Sequence, residues 1–376
     1  MKMLFDEVQI GNLRLRNRLV RSATWEKKAD ASGRMTDDLF RVYEKLADGH
    51  IGFIMTGYAF VTPDEQPNPR MMGIYEDSFI AEYRPLTEMV HQKGGHIAMQ
   101  IAYGGTRTTF QPAGRKIWGP SAVAEYTTGV MATEMTADNI DTLVKAFGDA
   151  AERAKAAGFD GVQFHAAHGY LLGQFLSPYH NRRSDAYGGG IENRARIILE
   201  SFEEIRSRTG ASFPVMIKIN SEDLIPEGAS FDDCRYVCRE LSKLGINAIE
   251  ISGGIRAAGD PCSLNRVTCS EQDEAYFAEA AATLADEIDT PVILVGGLRS
   301  PKVMNRLLET TNIECFAMSR PFLAEPGLVK RWASGDMSRA KCLSCNKCRL
   351  PAGNQCPMFG VRPTHLTKCP DFRFHP

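Results

Sequence analysis

The chain has 376 residues, 43% of them hydrophobic and 24% charged, enough to bury a large core as one big α/β barrel or as two ordinary domains. A net charge of −2 gives no steering toward nucleic acid or an anionic membrane, and no apolar run approaches a membrane span. Charges interrupt every short apolar stretch of the N-terminal MKMLFDEVQIGNLRLRNRLV, so it does not read as a signal peptide and the expected compartment is the cytoplasm.

Apolar runs alternate with amphipathic stretches eight times. Strands are predicted at 17–22, 51–56, 95–101, 159–164, 213–219, 246–251, 291–295 and 313–318; most are apolar throughout, as strands buried on both faces should be. Helices are predicted at about 36–48, 78–93, 136–156, 190–208, 230–243, 271–287, 300–309 and 321–333. Thr36 and Thr136 read as helix starts, and Ser300-Pro301 puts proline at a first helical position. Eight such units predict an α/β fold of the (β/α)8 TIM-barrel class. A doubly wound sheet is the rival, but the G-x-G-x-x-G turn it would carry does not follow NRLVRS. The expected organisation is a barrel over 1–335 and a Cys-rich extension over 336–376 packed on it, with 102–135 as a decorated loop over the barrel top.

Chemistry concentrates after the fourth strand. His165, His168 and Tyr170 fall just past VQF, at the end of the strand where ligands sit in parallel α/β proteins. Two imidazoles can donate hydrogen bonds to one oxygen, and a phenol beside them can deliver a proton. Zinc ligation by the two imidazoles, in a barrel hydrolase, is a second reading, although neither H-E-x-x-H nor a nearby carboxylate supports it.

The run HAAHGYLLGQFLSPYHNRRSDAYGGGIENR resembles the signature of the old yellow enzyme family of flavin-dependent oxidoreductases, and the resemblance extends over about 4–335. It implies that His165 and His168 bind a substrate carbonyl and that Tyr170 donates a proton. It also implies FMN as cofactor and NAD(P)H as electron donor. The flavin pyrimidine edge is expected at Gln100 and at Lys218, which stands where the family usually has Arg. Gly296-Gly297 and Ser319-Arg320, at the ends of strands seven and eight, resemble the family's phosphate site, with backbone N–H groups and a helix N-terminus as donors. Ala23 and Thr24 are expected against the flavin, Gly57 is expected to be small to admit its ring, and Trp25 and Tyr103 are expected to face substrate.

Beyond the last predicted helix runs C-L-S-C-N-K-C-R-L-P-A-G-N-Q-C, placing Cys342, Cys345, Cys348 and Cys356 within fifteen residues, with Cys369 following. The position resembles that of the [4Fe–4S] cluster in the 2,4-dienoyl-CoA reductase and trimethylamine dehydrogenase branch, with a different spacing. An iron–sulfur cluster, a structural zinc and a set of free thiols are the three readings. The expected function is reduction of the activated C=C bond of an enone or enoyl-type substrate. The alternative is a flavin dehydrogenase or redox protein passing electrons between FMN and the cluster or a protein partner. Expected partners are a small alkene or carbonyl substrate, an electron-transfer protein and a second copy in a homo-oligomer.

Overall fold

The computed structural model describes residues 2–110, 114–262 and 266–359. Eight parallel strands form a closed barrel: β1 (Leu19–Arg21), β2 (Phe53–Met55), β3 (Ile97–Ala102), β4 (Gly161–Ala166), β5 (Val215–Asn220), β6 (Ala248–Ser252), β7 (Val292–Val295) and β8 (Cys315–Met318). Each pairs with the next, and Phe316 of β8 opposite Leu19 of β1 closes the ring. The helices between them are α1 (Asp37–Asp48), α2 (Ser78–Gln92), α3 (Ala137–Ala156), α4 (Ile191–Thr209), α5 (Phe231–Lys243), α6 (Ala278–Glu287), α7 (Pro301–Thr310) and α8 (Leu328–Ala333). Among the described residues no helix is long and apolar enough to cross a membrane.

The period-two pleat divides the core. Val20, Phe53, Met55, Ala98, Met216, Ala248 and Ile293 point inward, while Ile54, Ile217, Ile249 and Leu294 pack outward against the helices. An antiparallel hairpin, Val8–Ile10 with Leu13–Leu15, adds Val8, Ile10, Leu13 and Leu15 to the inward cluster. It leads into β1 and lies against Asn247 ahead of β6, so it plugs the barrel at the N-terminal ends of the strands. The open end is the other one.

Thr36 and Thr136 cap α1 and α3 as their sequence implies, each hydroxyl accepting from the backbone N–H three residues on. Three boundaries differ from expectation. β4 runs on to Ala166, so His165 stands within the strand. The predicted helix 271–287 opens as a 3₁₀ turn, Glu271–Asp273, and the α-helix starts only at Ala278, because Ala275 takes a left-handed φ of 56°. The last helix splits into Arg320–Ala324 and α8, since Pro326 disfavours helical geometry at Glu325. The loop 102–135 carries a 3₁₀ turn, Gly105–Arg107, and a two-residue strand pair, Trp118–Gly119 with Thr133–Glu134. The helix Leu171–Leu176, inside what the sequence shows as loop, is buried along its whole length.

Candidate active site

Above the apolar layer the inward positions turn polar. Gln100 on β3, Gln163 and His165 on β4, Lys218 and Asn220 on β5, and Glu250 and Ser252 on β6 follow inward residues by two or four places. Register brings them together: Gln163 lies opposite Gln100, His165 opposite Lys218, and Lys218 opposite Glu250. Of these, Gln100, His165, Lys218 and Ser252 line a cavity of about 290 Å³ at the C-terminal ends of the strands.

His165, His168 and Tyr170 meet on one side of it. The imidazole centroids are 5.3 Å apart, and the His165 and Tyr170 rings 4.6 Å. His168 takes a left-handed φ of 59°; its N–H donates to Asn220 Oδ1 (3.2 Å) and its Nε2 lies 2.8 Å from Ser252 Oγ. His165 Nδ1 is buried without a hydrogen-bond partner. Burial pushes both imidazoles well below the ordinary histidine pKa, helped by the Lys218 cation, so both are neutral at neutral pH. Burial raises the Tyr170 hydroxyl, which keeps its proton. Tyr170 Oη accepts from Asn68 Nδ2 (3.2 Å), which also donates to Tyr58 Oη (3.2 Å), leaving the Tyr170 proton free to be donated elsewhere. The arrangement offers a carbonyl oxygen two neutral donors with an acid beside it. A zinc site at the histidines finds no third ligand: among the described residues no three His, Cys, Asp or Glu side chains could hold one ion.

The expected flavin groove is tested by what surrounds it. Ala23, Thr24, Trp25, Gln100, Lys218, Gly296, Gly297, Ser319 and Arg320 all line the same cavity. Gly296 and Gly297 have φ of 140° and 68°, and a Cβ on either would meet the Tyr276 ring at 2.9 and 2.7 Å, so the turn requires glycine. Thr24 Oγ1 and Ser319 Oγ are 2.7 Å apart. Arg299 is fully buried and lines the cavity, and its Nε has no partner. Its Nη1 and Nη2 donate to the Leu298 carbonyl and to Ser344 Oγ, and a buried guanidinium with its Nε–H still to be satisfied, beside Ser319 and Arg320, suits a phosphate. These residues fit FMN.

Three expectations are corrected. The N-terminus of α7 is not open to a phosphate: Glu274 Oε2 accepts from the N–H groups of Arg299 (2.7 Å) and Ser300 (2.9 Å), and its Oε1 accepts from Ser300 Oγ (2.7 Å). Gly57 is small for a reason other than a flavin. It does not line the cavity, and a Cβ there would stand 2.1 Å from Glu26 Oε2. Glu26 is held in a buried pair with Arg21, and Tyr43 donates to Glu26 Oε1 (3.0 Å) while accepting from Gly57 N–H (2.8 Å). Gly57→Ala is therefore expected to destabilise the fold by about 3–5 kcal/mol, the cost of breaking a buried ion pair. Denaturant unfolding measures it, and an unchanged midpoint would show that the pair tolerates the methyl. Tyr103 does not reach the cavity either: it is buried under the loop near Glu65, and its carbonyl accepts from Leu171 N–H.

Asn68, Tyr58, Arg107, Arg299, Gln163 and Glu250 were not singled out from the sequence. The last two were visible as polar residues on inward positions of apolar strands. The others sit on turns and loops, where no periodicity marks them.

The cysteine segment folds over the cavity mouth. Asn354 Nδ2 donates to the Trp25 carbonyl (2.7 Å), Arg299 Nη2 donates to Ser344 Oγ (2.9 Å), and Asn346, Cys348 and Arg349 line the cavity. Cys342, Cys345, Cys348 and Cys356 are all free thiols, and Ser344 and Asn346 between them take left-handed φ of 54° and 56°. Burial, then the other three cysteines, pushes the Cys348 thiol up to about 11. The four do not converge on one point as zinc ligands would. Cys369 lies outside the described residues.

Comparison with known proteins agrees with this geometry. The NADH:flavin oxidoreductase / NADH oxidase family matches residues 3–338. An NADH oxidase of Thermoanaerobacter brockii is 31% identical over 351 residues, covering 91% of this chain and 52% of that protein. A cinnamate reductase of Clostridium sporogenes is 30% identical over 366 residues, covering 92% and 55%. The solved structure of a 2-naphthoyl-CoA reductase superposes with a TM-score of 0.85 at 24% identity, over 92% of this chain and 54% of that one, a likeness of fold. The chain spans about half the length of these proteins.

Proposed function

We propose that this chain, which belongs to the NADH:flavin oxidoreductase / NADH oxidase family, is an FMN- and NAD(P)H-dependent oxidoreductase of old yellow enzyme type and reduces the activated C=C bond of α,β-unsaturated carbonyl compounds. The observation that carries this is the trio of neutral His165, neutral His168 and protonated Tyr170 on one wall of the flavin cavity. FMN held there would supply hydride transfer between reduced nicotinamide and the substrate's β-carbon. Gln100 and Lys218 would hold its pyrimidine edge; Gly296, Gly297, Arg299, Ser319 and Arg320 would hold its phosphate. His165 and His168 donate hydrogen bonds to the substrate carbonyl and draw charge from the β-carbon. Tyr170 protonates the α-carbon. Donor and substrate share one cavity, which calls for ping-pong kinetics. Cys342, Cys345, Cys348 and Cys356 would hold a [4Fe–4S] cluster, whose chemistry is one-electron transfer.

The test is an anaerobic titration. Protein as purified should be yellow, bleach with NADH or NADPH, and recover its colour on adding an enone. Bleaching by a ferredoxin-like donor and by neither nicotinamide would favour the electron-transfer reading. Iron and sulfide should be found together in anaerobically prepared protein; absence of both removes the cluster.

Charge narrows the substrate. Arg107, Arg256 and Arg349 line the cavity, and Arg107 Nε is buried without a partner among the described residues. The Arg107 cation reaches His165, His168 and Tyr170 electrostatically. An enoyl substrate bearing a carboxylate suits this wall, and the cinnamate reductase relative has that substrate type in its name. Arg107→Met should raise KM for an unsaturated acid about 10- to 100-fold, the worth of one charge-assisted hydrogen bond. KM for a neutral enone should not move; an equal rise for both would end the argument.

A further inference from the structure

Glu250 has no counterpart among the residues used so far. It is wholly buried on an inward position of β6, in the floor layer under the pyrimidine-binding side chains. Its two oxygens are both engaged. Oε1 accepts from Ser22 Oγ (2.6 Å) and pairs with Lys218 Nζ (2.9 Å); Oε2 accepts from Gln163 Nε2 (2.9 Å). Gln163 Oε1 in turn accepts from Gln100 Nε2 (2.7 Å). Lys218 Nζ also donates to Ser22 Oγ (2.8 Å). One carboxylate therefore anchors every side chain assigned to the pyrimidine edge.

The donor count gives this anchor a direction. A carboxylate only accepts, so Gln163 must turn its NH₂ toward Glu250 and its carbonyl toward Gln100. Gln100 must then point its NH₂ down into the network, which leaves its carbonyl oxygen as the acceptor for the cofactor's imide N–H. Lys218 spends one N–H on Glu250 and one on Ser22, leaving the third for the cofactor's C2 carbonyl. The charge balance follows too. Two-electron reduction places negative charge on the pyrimidine edge, and a bare ammonium would stabilise it strongly in so dry a site. Glu250 cancels that ammonium.

We propose that Glu250 is the positioning residue that sets the flavin's reduction potential. By neutralising Lys218 and fixing both amide orientations, it keeps the bound FMN a stronger hydride donor than Lys218 alone would allow. This rests on the reading that Lys218 and Gln100 face the pyrimidine edge.

The test is the midpoint potential of the FMN-loaded protein, measured by dye-coupled reduction, with sulfite affinity as a second readout. Glu250→Gln keeps the size of the side chain and removes its charge. It should shift the oxidised-to-reduced equilibrium at least tenfold toward reduced, about 30 mV upward for a two-electron couple. Sulfite should bind about tenfold tighter, since its adduct also places negative charge on the pyrimidine. Lys218→Gln should move both readouts the opposite way, and the Lys218→Gln/Glu250→Gln double variant should return near the parent. If Glu250→Gln does not fold, the difference between Lys218→Gln and the double variant reads the same charge. A potential unchanged or lowered on removing Glu250's charge, in protein that still binds FMN, overturns the inference. Protein that binds no FMN overturns the flavin-site reading beneath it instead.

Discussion

Replacing Tyr170 with Phe is expected to slow alkene reduction about 10²- to 10⁴-fold, the usual worth of a positioned general acid, while leaving flavin reduction by nicotinamide essentially unchanged. The asymmetry follows from the hydroxyl's surroundings. Asn68 donates to Tyr170 Oη, so the oxygen is already an acceptor and its own proton must go to another partner. Burial keeps that proton in place across the neutral range. Nicotinamide oxidation needs no such proton, and reduction of a C=C bond does. Rapid mixing separates the two half-reactions, and equal slowing of both would remove Tyr170 from the acid role. Asn68→Ala should reproduce part of the loss, because it frees the phenol to rotate and lets its proton find a competing acceptor.

Removing either imidazole should cost about 10²- to 10³-fold in the alkene half-reaction, as for one donor of an oxyanion site. The pH dependence tells how they act. Both are pushed well below the ordinary value of 6.5, so each is a neutral, single-donor imidazole throughout the neutral range. Substrate binding should thus stay flat from about pH 6 to 8. A KM that climbed as pH rose through about 6.5 would instead show that imidazolium is required. Stability carries the complementary sign. The unfolded chain takes up protons on these histidines near 6.5, and the folded protein does not. Below that pH the unfolded state therefore binds more protons and stability falls. His180, which burial pushes down to about 4, adds to the same acid weakness.

The barrel was legible because its strands are buried on both faces and so read as unbroken apolar runs. All eight appear where such runs occur, with end shifts of a few residues. The meeting of His165, His168 and Tyr170 at the cavity was legible because they interrupt one of those runs. The places of Gly296, Gly297, Ser319 and Arg320 after strands put them at the cavity, where the structure has them. What misled was inference from a residue to its neighbour without knowing the neighbour: Gly57 yields to Glu26, brought in from the β1 turn, and the α7 N-terminus is taken by Glu274, 26 residues before Ser300. Tyr103 adjoins the site in sequence yet turns beneath the loop. Asn68 and Arg107 come from irregular segments whose paths depend on packing, which no local pattern encodes. Gln163 and Glu250 belong to a different class: the alternation that places them is plain in VQFH and AIEIS, but only strand register shows that they meet Gln100 and Lys218.

The left-handed backbone at position 168 limits which side chains evolution or design can place there. At a φ of 59° most residues with a Cβ are strained, β-branched ones most, while Asn, Asp, His and Gly are tolerated best. Of these four, Asp cannot donate to a carbonyl when ionised and Gly has nothing to donate with. The usable alphabet at this site shrinks to two letters, His and Asn. Variation at this half of the clamp is thus written into the main chain before any substrate is chosen. A library that randomises position 168 should return folded, active clones carrying those two residues and few others.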